Sequence, residues 1–224
     1  MKYLETMTYS DTAVIFDVDG TLIDSTKKLE ADVISAFKRF GIELKPEELK
    51  RDFYALAQSY GISNEQFDME FDKRKSWEEA LKNGEAPLFD DALPCLENLS
   101  NMGTKLGILT RSSREITNTK LNYYGLTEYF DKNIGITPVM AKSKLPEAVV
   151  LIRQFGKINI AYLVGDKSED VIIDSKCSKD TDVSTNGIYL NRNRAEIPAE
   201  VGNRKVIYTL ESIPDIILGG QHGN

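Results

Sequence analysis

Asp17 and Asp19 stand two residues apart in Asp17-Val18-Asp19-Gly20-Thr21-Leu22, directly after the apolar run Ala13-Val14-Ile15-Phe16. Gly20 lets the chain turn sharply there and bring backbone N–H groups to an anion, so both carboxylates can serve one site. A carboxylate that attacks a phosphoryl group needs a cation for the equatorial oxygens, a group to protonate the leaving oxygen, and fixed donors around the transition state. Taken alone, an Asp-x-Asp pair after a strand is ordinary turn or capping chemistry. Its reading therefore depends on partners elsewhere in the chain.

Three further segments supply candidates. Thr110 closes the run Lys105-Leu106-Gly107-Ile108-Leu109, where its hydroxyl could hold a phosphate oxygen with the backbone N–H of Arg111 beside it. The bland alternative for Thr110 is a helix N-cap, a role open equally to Ser112 or Ser113. Lys144 precedes Pro146, which is expected at a first helical position, and its ammonium could pin a carboxylate and an incoming phosphate together. Lys142 competes for that role. In Gly165-Asp166-Lys167-Ser168-Glu169-Asp170 two aspartates lie four apart at a strand-to-helix turn and can share a hard-cation site. Asp166 is the better ligand. Asp170 either supports the metal or complements the positive end of the following helix, while Glu169 and Lys167 are expected at the surface. Oxygen ligands without histidine or thiolate favour Mg2+.

Elements must bring these segments together. Six short β-branched runs read as buried strands: 13–16, 105–109, 133–136, 160–164, 187–190 and 205–208. Helical patterns at 90–102, 113–124, 146–155 and 168–177 alternate with them, the signature of an α/β, doubly wound parallel sheet of Rossmann-like type. Ligands bind at the carboxyl edge of such a sheet, where the polar residues above fall. The spacing breaks once, after the first strand, where about seventy residues intervene although a crossover needs far fewer. Lys28 to Phe40, a segment opened by Pro46, and Asn64 to Lys82 read there as helices only. The expected division is a core of residues 1–23 and 88–224 and a small all-helical cap of residues 24–87, with Asp24-Ser25-Thr26 and Gly84 to Pro87 as hinges. Trp77, Phe67 and Phe71, at helical spacing, read as the cap's own core. Lys73-Arg74-Lys75 reads as a solvated face, since fourteen acidic residues meet eleven basic ones over 24–88.

Asp17-Val18-Asp19-Gly20-Thr21-Leu22, Thr110, a lysine near 144 and Gly165-Asp166-x-x-x-Asp170, in this order, resemble the haloacid dehalogenase-like superfamily. The insert is similar to its first, helical cap type, as in the phosphoglycolate phosphatase-like branch. The resemblance spans Ala13 to Leu190. It implies a Rossmann-like core, an aspartyl-phosphate on Asp17, and magnesium bound by Asp17, the carbonyl of Asp19 and Asp166, with Asp170 beside them. It also implies that Asp19 serves as acid and then base, because the dehalogenases, phosphonate hydrolases and transport ATPases lack a carboxylate at this place. An acid there suits an alkoxide leaving group that must be protonated. Two departures are visible. Ala141-Lys142-Ser143-Lys144-Leu145-Pro146 replaces the Lys-Pro-x-Pro of related hydrolases, and Arg111, free to touch substrate or to stay at the surface, follows the threonine where asparagine is common.

Acidic residues outnumber basic ones 35 to 28 over 224 residues, so no footprint for a nucleic-acid backbone is visible. No apolar run approaches membrane-spanning length, and the amino terminus carries polar residues where a secretory signal would be apolar. A cytoplasmic protein is the expectation. Cys95 and Cys177 have no metal-ligand spacing and read as buried thiols. Gly219, Gly220 and the residues after them, including the sole histidine, His222, read as a frayed tail. Together these features point to a Mg2+-dependent phosphatase acting on a small phosphorylated metabolite, with Asp17, Asp19, Thr110 and Lys144 as catalytic residues. Monomer and homodimer stay equally open. One alternative is a phosphomutase of the β-phosphoglucomutase type, although those enzymes place a histidine early in the first insert helix and this insert has none. Another is a non-catalytic regulatory or phosphate-binding protein.

Overall fold

The computed structural model describes residues 9–50, 53–72, 77–130, 133–139 and 141–220. Residues 1–8, Lys73-Arg74-Lys75 and His222, each discussed above, lie outside that set. Six strands form one sheet: β1 (Thr12–Phe16), β2 (Lys105–Thr110), β3 (Ile134–Ile136), β4 (Ile160–Gly165), β5 (Ser184–Leu190) and β6 (Lys205–Ile207). Their order is β3-β2-β1-β4-β5-β6, and every neighbouring pair is parallel. The winding reverses at β1, which sits between β2 and β4 with Val14 in register with both Leu106 and Tyr162. Such a reversal opens a crevice at the carboxyl ends of the central strands.

The chain folds as two compact units, Asp24–Pro87 and the remainder, Met1–Ile23 with Leu88–Asn224. The first is all helical: α1 (Thr26–Arg39), a 3-10 turn at Pro46–Lys50, α2 (Phe53–Ser59), α3 (Asn64–Asp72) and α4 (Trp77–Lys82). Its core is aromatic. Phe37 and Phe67 are fully buried, and Phe67 packs on Phe37, Tyr54 and Phe71 at centroid distances of 5.4–5.5 Å. Trp77 differs from the expectation: it is half-buried, with Lys28 Nζ 5.2 Å from its ring centre. That lysine is also paired with Asp32, one turn along α1.

The second unit carries the sheet with α5 (Ala92–Asn101), α6 (Arg114–Tyr123), α7 (Thr127–Phe130), α8 (Leu145–Gln154), α9 (Ser168–Val171), α10 (Asp174–Thr181) and α11 (Ser212–Gly220). Every residue of β1 is buried, as a strand covered on both faces requires. One face is filled by Ala13, Ile15, Leu109, Ala161 and Leu163 from the strands, packed on Ala148, Leu151 and Ile152 of α8 and Cys177 of α10. The 148-151-152 spacing is the inward stripe of an amphipathic helix. Burial pushes the Cys177 and Cys95 thiols up to about 12, and both are free. Among the described residues no helix is long and apolar enough to cross a membrane.

Three local expectations are corrected. The single helix over 168–177 is two, because Arg204 takes the carbonyls of Val171 (Nε, 3.1 Å) and Ile172 (Nη2, 3.3 Å) out of the helical ladder. Asp174, at the start of α10, fixes that guanidinium with both oxygens at 2.7 and 2.9 Å and accepts the Gly187 N–H. Pro146 takes the second position of α8 rather than the first, since Leu145 already has helical geometry. Gly219 and Gly220 continue α11 instead of fraying from it.

Candidate active site

The sheet collects four of the sequence-derived residues at one edge. Asp17 follows β1, Thr110 ends β2, Asp166 follows β4, and Lys144 caps α8. Asp17 is 7% exposed and Lys144 3%. Lys144 Nζ donates to Asp17 Oδ1 at 2.7 Å and to the Leu109 carbonyl at 3.2 Å, and lies 2.6 Å from Asp170 Oδ1. Lys142, by contrast, is exposed. Asp170 is 4% exposed, and its Oδ2 accepts the Lys167 N–H at 3.0 Å, capping α9. Helix capping and support of Lys144 are thus both done by one carboxylate.

Carboxylates of Asp17, Asp166 and Asp170 offer oxygens within 4.8 Å of one another. Burial pushes Asp17 up to about 7 against the pull of Lys144, with Asp170 and Asp166 adding to the rise. Burial and then the Asp170 charge push Asp166 up to about 6. For Lys144, burial opposes the charge, yet Asp17 and Asp170 hold its ammonium well above the ordinary lysine range. Three carboxylates thus face two ammoniums, Lys144 and Lys167, the latter also pulling Asp166 down, and an excess of negative charge is the condition under which a hard divalent cation binds oxygen donors. The backbone makes room for this cluster: Gly20 has φ +87°, and a Cβ there would collide with the Asp166 carboxylate. Only glycine combines that dihedral with so close an approach.

Thr110 is buried, and its Oγ1 accepts the Ser112 N–H at 3.1 Å. The cap of α6 is Ser113, whose Oγ accepts the Ile116 N–H. Thr110 is therefore not spent on capping. Arg111 reaches away into the scaffold: it donates to Glu169 through Nε (3.0 Å) and Nη2 (2.7 Å) and through Nη1 to the carbonyls of Pro138, Val139 and Ala141. Glu169, expected as a surface residue, is half of this clasp.

A profile of haloacid dehalogenase-like hydrolases matches residues 14–187, most of the chain. The chain belongs to this family. It is similar to the phosphoglycolate phosphatase of Vibrio parahaemolyticus, at 25% identity over 210 residues covering 85% of this chain and 89% of that one. It is also similar to the pyrophosphatase PpaX of Bacillus velezensis, at 26% identity over 72% of this chain and 77% of that one. Among solved structures, a haloacid dehalogenase-like hydrolase from Streptococcus pneumoniae superposes with TM-score 0.70 at 19% identity, covering 93% and 99% of the two chains. The HAD phosphatase from Thermococcus onnurineus gives TM-score 0.63 at 25% identity, over 93% and 98%.

As a haloacid dehalogenase-like hydrolase the chain is an enzyme, and its sheet is the Rossmann-like α/β core of the family. Sequence reasoning missed one participant. Lys120, in the last turn of α6, is fully buried and lies 2.6 and 2.8 Å from the two oxygens of Asp19. Ser112 Oγ donates to Asp19 Oδ2 at 2.7 Å. A lysine amid the polar residues of an amphipathic helix carries no signal by itself. Only its burial, visible once α6 is docked, sets it apart.

A second clasp closes the other side of the turn. Arg192 donates through Nη1 and Nη2 to Asp91, each at 2.9 Å, and through Nη2 to the Thr21 carbonyl at 2.7 Å, with its guanidinium 3.8 Å from the Phe89 ring centre. Asp91 also accepts from the Thr209 hydroxyl and the Leu210 N–H. The loop that carries Asp17 and Asp19 is thereby tied to the carboxy-terminal part of the core.

Proposed function

We propose that this hydrolase is a Mg2+-dependent phosphatase that acts on a small phosphomonoester through an aspartyl-phosphate on Asp17. The observation that carries this reading is the buried Lys144, which holds Asp17 Oδ1 at 2.7 Å while Asp17 Oδ2 accepts no hydrogen bond from the described residues. Asp17 attacks phosphorus, and Asp19 protonates the departing alcohol and then takes a proton from the water that cleaves the acyl phosphate. Lys144 and the Thr110 hydroxyl stabilise negative charge on the transferring group. Mg2+, when bound by Asp17, Asp166 and the main-chain carbonyl of Asp19, supplies neutralisation of the phosphoryl oxygens. Asp170, whose oxygens are engaged by Lys144 and the Lys167 N–H, borders that site and orients Lys144. Residues 24–87 we take as the cap that selects the substrate.

Relatives named for phosphoglycolate and for pyrophosphate support a small, anionic phosphate compound. A phosphomutase is disfavoured by the lack of histidine in the insert. The test is release of inorganic phosphate from p-nitrophenyl phosphate, which should require Mg2+ and vanish in Asp17→Asn. Inactivity toward that compound and toward a broad panel of phosphate esters, with folded protein and Mg2+, would defeat the proposal.

A further inference from the structure

Lys120 is the most deeply buried charge, among the described residues, that the mechanism above leaves unused. Its side chain is 0% exposed, and taking an ammonium out of water is costly unless it is well paired. An apolar side chain at this place on α6 would fill the same volume without that cost. Lysine there is explained by its contact: both Asp19 oxygens lie within 2.8 Å of Nζ. Ser112 completes the arrangement, donating to Asp19 Oδ2 at 2.7 Å and accepting from Lys120 Nζ at 3.3 Å. The three polar groups form a closed triangle, in which moving any one breaks two contacts.

This triangle is mounted rigidly. Ser112 lies two residues past Thr110, the end of β2, and its N–H donates to Thr110 Oγ1 at 3.1 Å. Ser113 caps the helix, and the buried Thr117 hydroxyl donates to the Ser113 carbonyl at 2.9 Å. Lys120 thus projects from a helix whose first turn is pinned at the site. A carboxyl group on its own single bonds samples several rotamers. Held by an ammonium and a hydroxyl from one segment, it keeps a single direction.

We infer that Lys120, assisted by Ser112, is the positioning residue for Asp19, fixing the direction in which that carboxyl group meets the scissile P–O bond and the attacking water. The inference rests on the reading of Asp19 as the proton-transfer group. Lys120 itself touches neither substrate nor metal in this account. Its loss therefore falls on turnover and hardly on substrate binding, because a misdirected group still leaves the phosphate-holding residues in place.

The experiment is a double-mutant cycle on p-nitrophenyl phosphate with saturating Mg2+. Lys120→Met should lower kcat roughly ten- to hundredfold with KM changed less than about threefold. Ser112→Ala should act in the same sense by a smaller factor. In the Asp19→Asn background, either substitution should change the residual kcat by less than about twofold, because the group being positioned is already disabled. Wild-type kcat in Lys120→Met beside a crippled Asp19→Asn overturns this inference alone. An equal fold-loss in both backgrounds also overturns it, since that is the pattern of a merely structural role. Full activity in Asp19→Asn removes the reading of Asp19 and this inference with it. Should Lys120→Met melt below the assay temperature, the Ser112→Ala arm of the cycle decides by the same criteria.

Discussion

Lys144 Nζ lies 2.7 Å from Asp17 Oδ1, and both side chains are more than nine-tenths buried. One ammonium thereby joins the end of β1 to the start of α8, and a 2.6 Å contact extends the link to Asp170 on α9. Lys144→Met should lower kcat on p-nitrophenyl phosphate by roughly a hundredfold or more, the scale of losing a charged donor at the transition state. Lys142→Ala, at an exposed position, should stay within about twofold of wild type. Steady-state kinetics on the two variants tests the assignment, and the reverse ranking would transfer the role to Lys142.

Stability should respond to pH and to cation in opposite ways. Asp17 and Asp166 are raised from the ordinary 3.8 to about 7 and about 6. The folded state therefore binds more protons than the unfolded one between those limits. Their contribution to stability is fully present below 3.8 and is lost as pH rises through about 6 and about 7. Mg2+ binds the ionised carboxylates, so the rise in melting temperature on adding it should be small near pH 5 and reach its plateau above about pH 8. Thermal melts across that range, with and without Mg2+, read out both trends. A Mg2+ effect that is larger at pH 5 than at pH 8 would contradict the proposed ligand set.

Gly20→Ala should be far more damaging than its size suggests. The residue has φ +87° and the Asp166 carboxylate occupies the space a methyl group would need. Relief requires moving the carboxylate, the backbone, or both, at a cost of about 1–3 kcal/mol. Titration calorimetry should show Mg2+ affinity falling at least roughly tenfold, the scale of disturbing a ligand's immediate support, together with a lower unfolding midpoint. Unchanged affinity would separate Asp166 from the cation site.

Arg204 offers a test of scaffold alone. Arg204→Ala leaves the carboxylate of Asp174, whose side chain is 12% exposed, without its ion pair and frees the carbonyls of Val171 and Ile172. Urea unfolding should show a loss of about 2–4 kcal/mol, while kcat in the surviving folded protein stays within about threefold of wild type. A stability change under about 0.5 kcal/mol would show that the break between α9 and α10 does not depend on this arginine.

Much of the core was legible because its signals are local. Asp17, Thr110 and Asp166 each end a short β-branched run, and parallel strands expose their carboxyl ends together, so order along the chain was enough to group them. Lys144 stands out from Lys142 in sequence only through its nearness to Pro146. What stayed hidden depends on partners distant in sequence. Lys120 meets Asp19 across 101 positions, and nothing in its own helix distinguishes it from a solvated lysine. Arg204 divides a helix that starts 36 residues earlier, at Ser168, while the apolar pattern over 168–177 runs on without a breaker. Arg111, open to substrate or to the surface, and Glu169, expected at the surface, carry no mark of each other in sequence, because their clasp joins the loop after β2 to α9 across 58 positions.

The strand that leads into Asp17 comes first in sequence among the six described strands and shares the centre of the sheet with β4. Val14 finds its neighbours at Leu106 and Tyr162, so β1 must wait for β2, about ninety residues later, before one flank is paired, and for β4 before both are. Such long-range pairing slows folding and leaves an apolar strand unprotected meanwhile. A ribosome-bound fragment ending before Ile160 has neither β4 nor Asp166, and therefore no complete acidic cluster. Synthesis itself postpones the chemistry: the proposed cation site can form only once the chain has been made through Asp166.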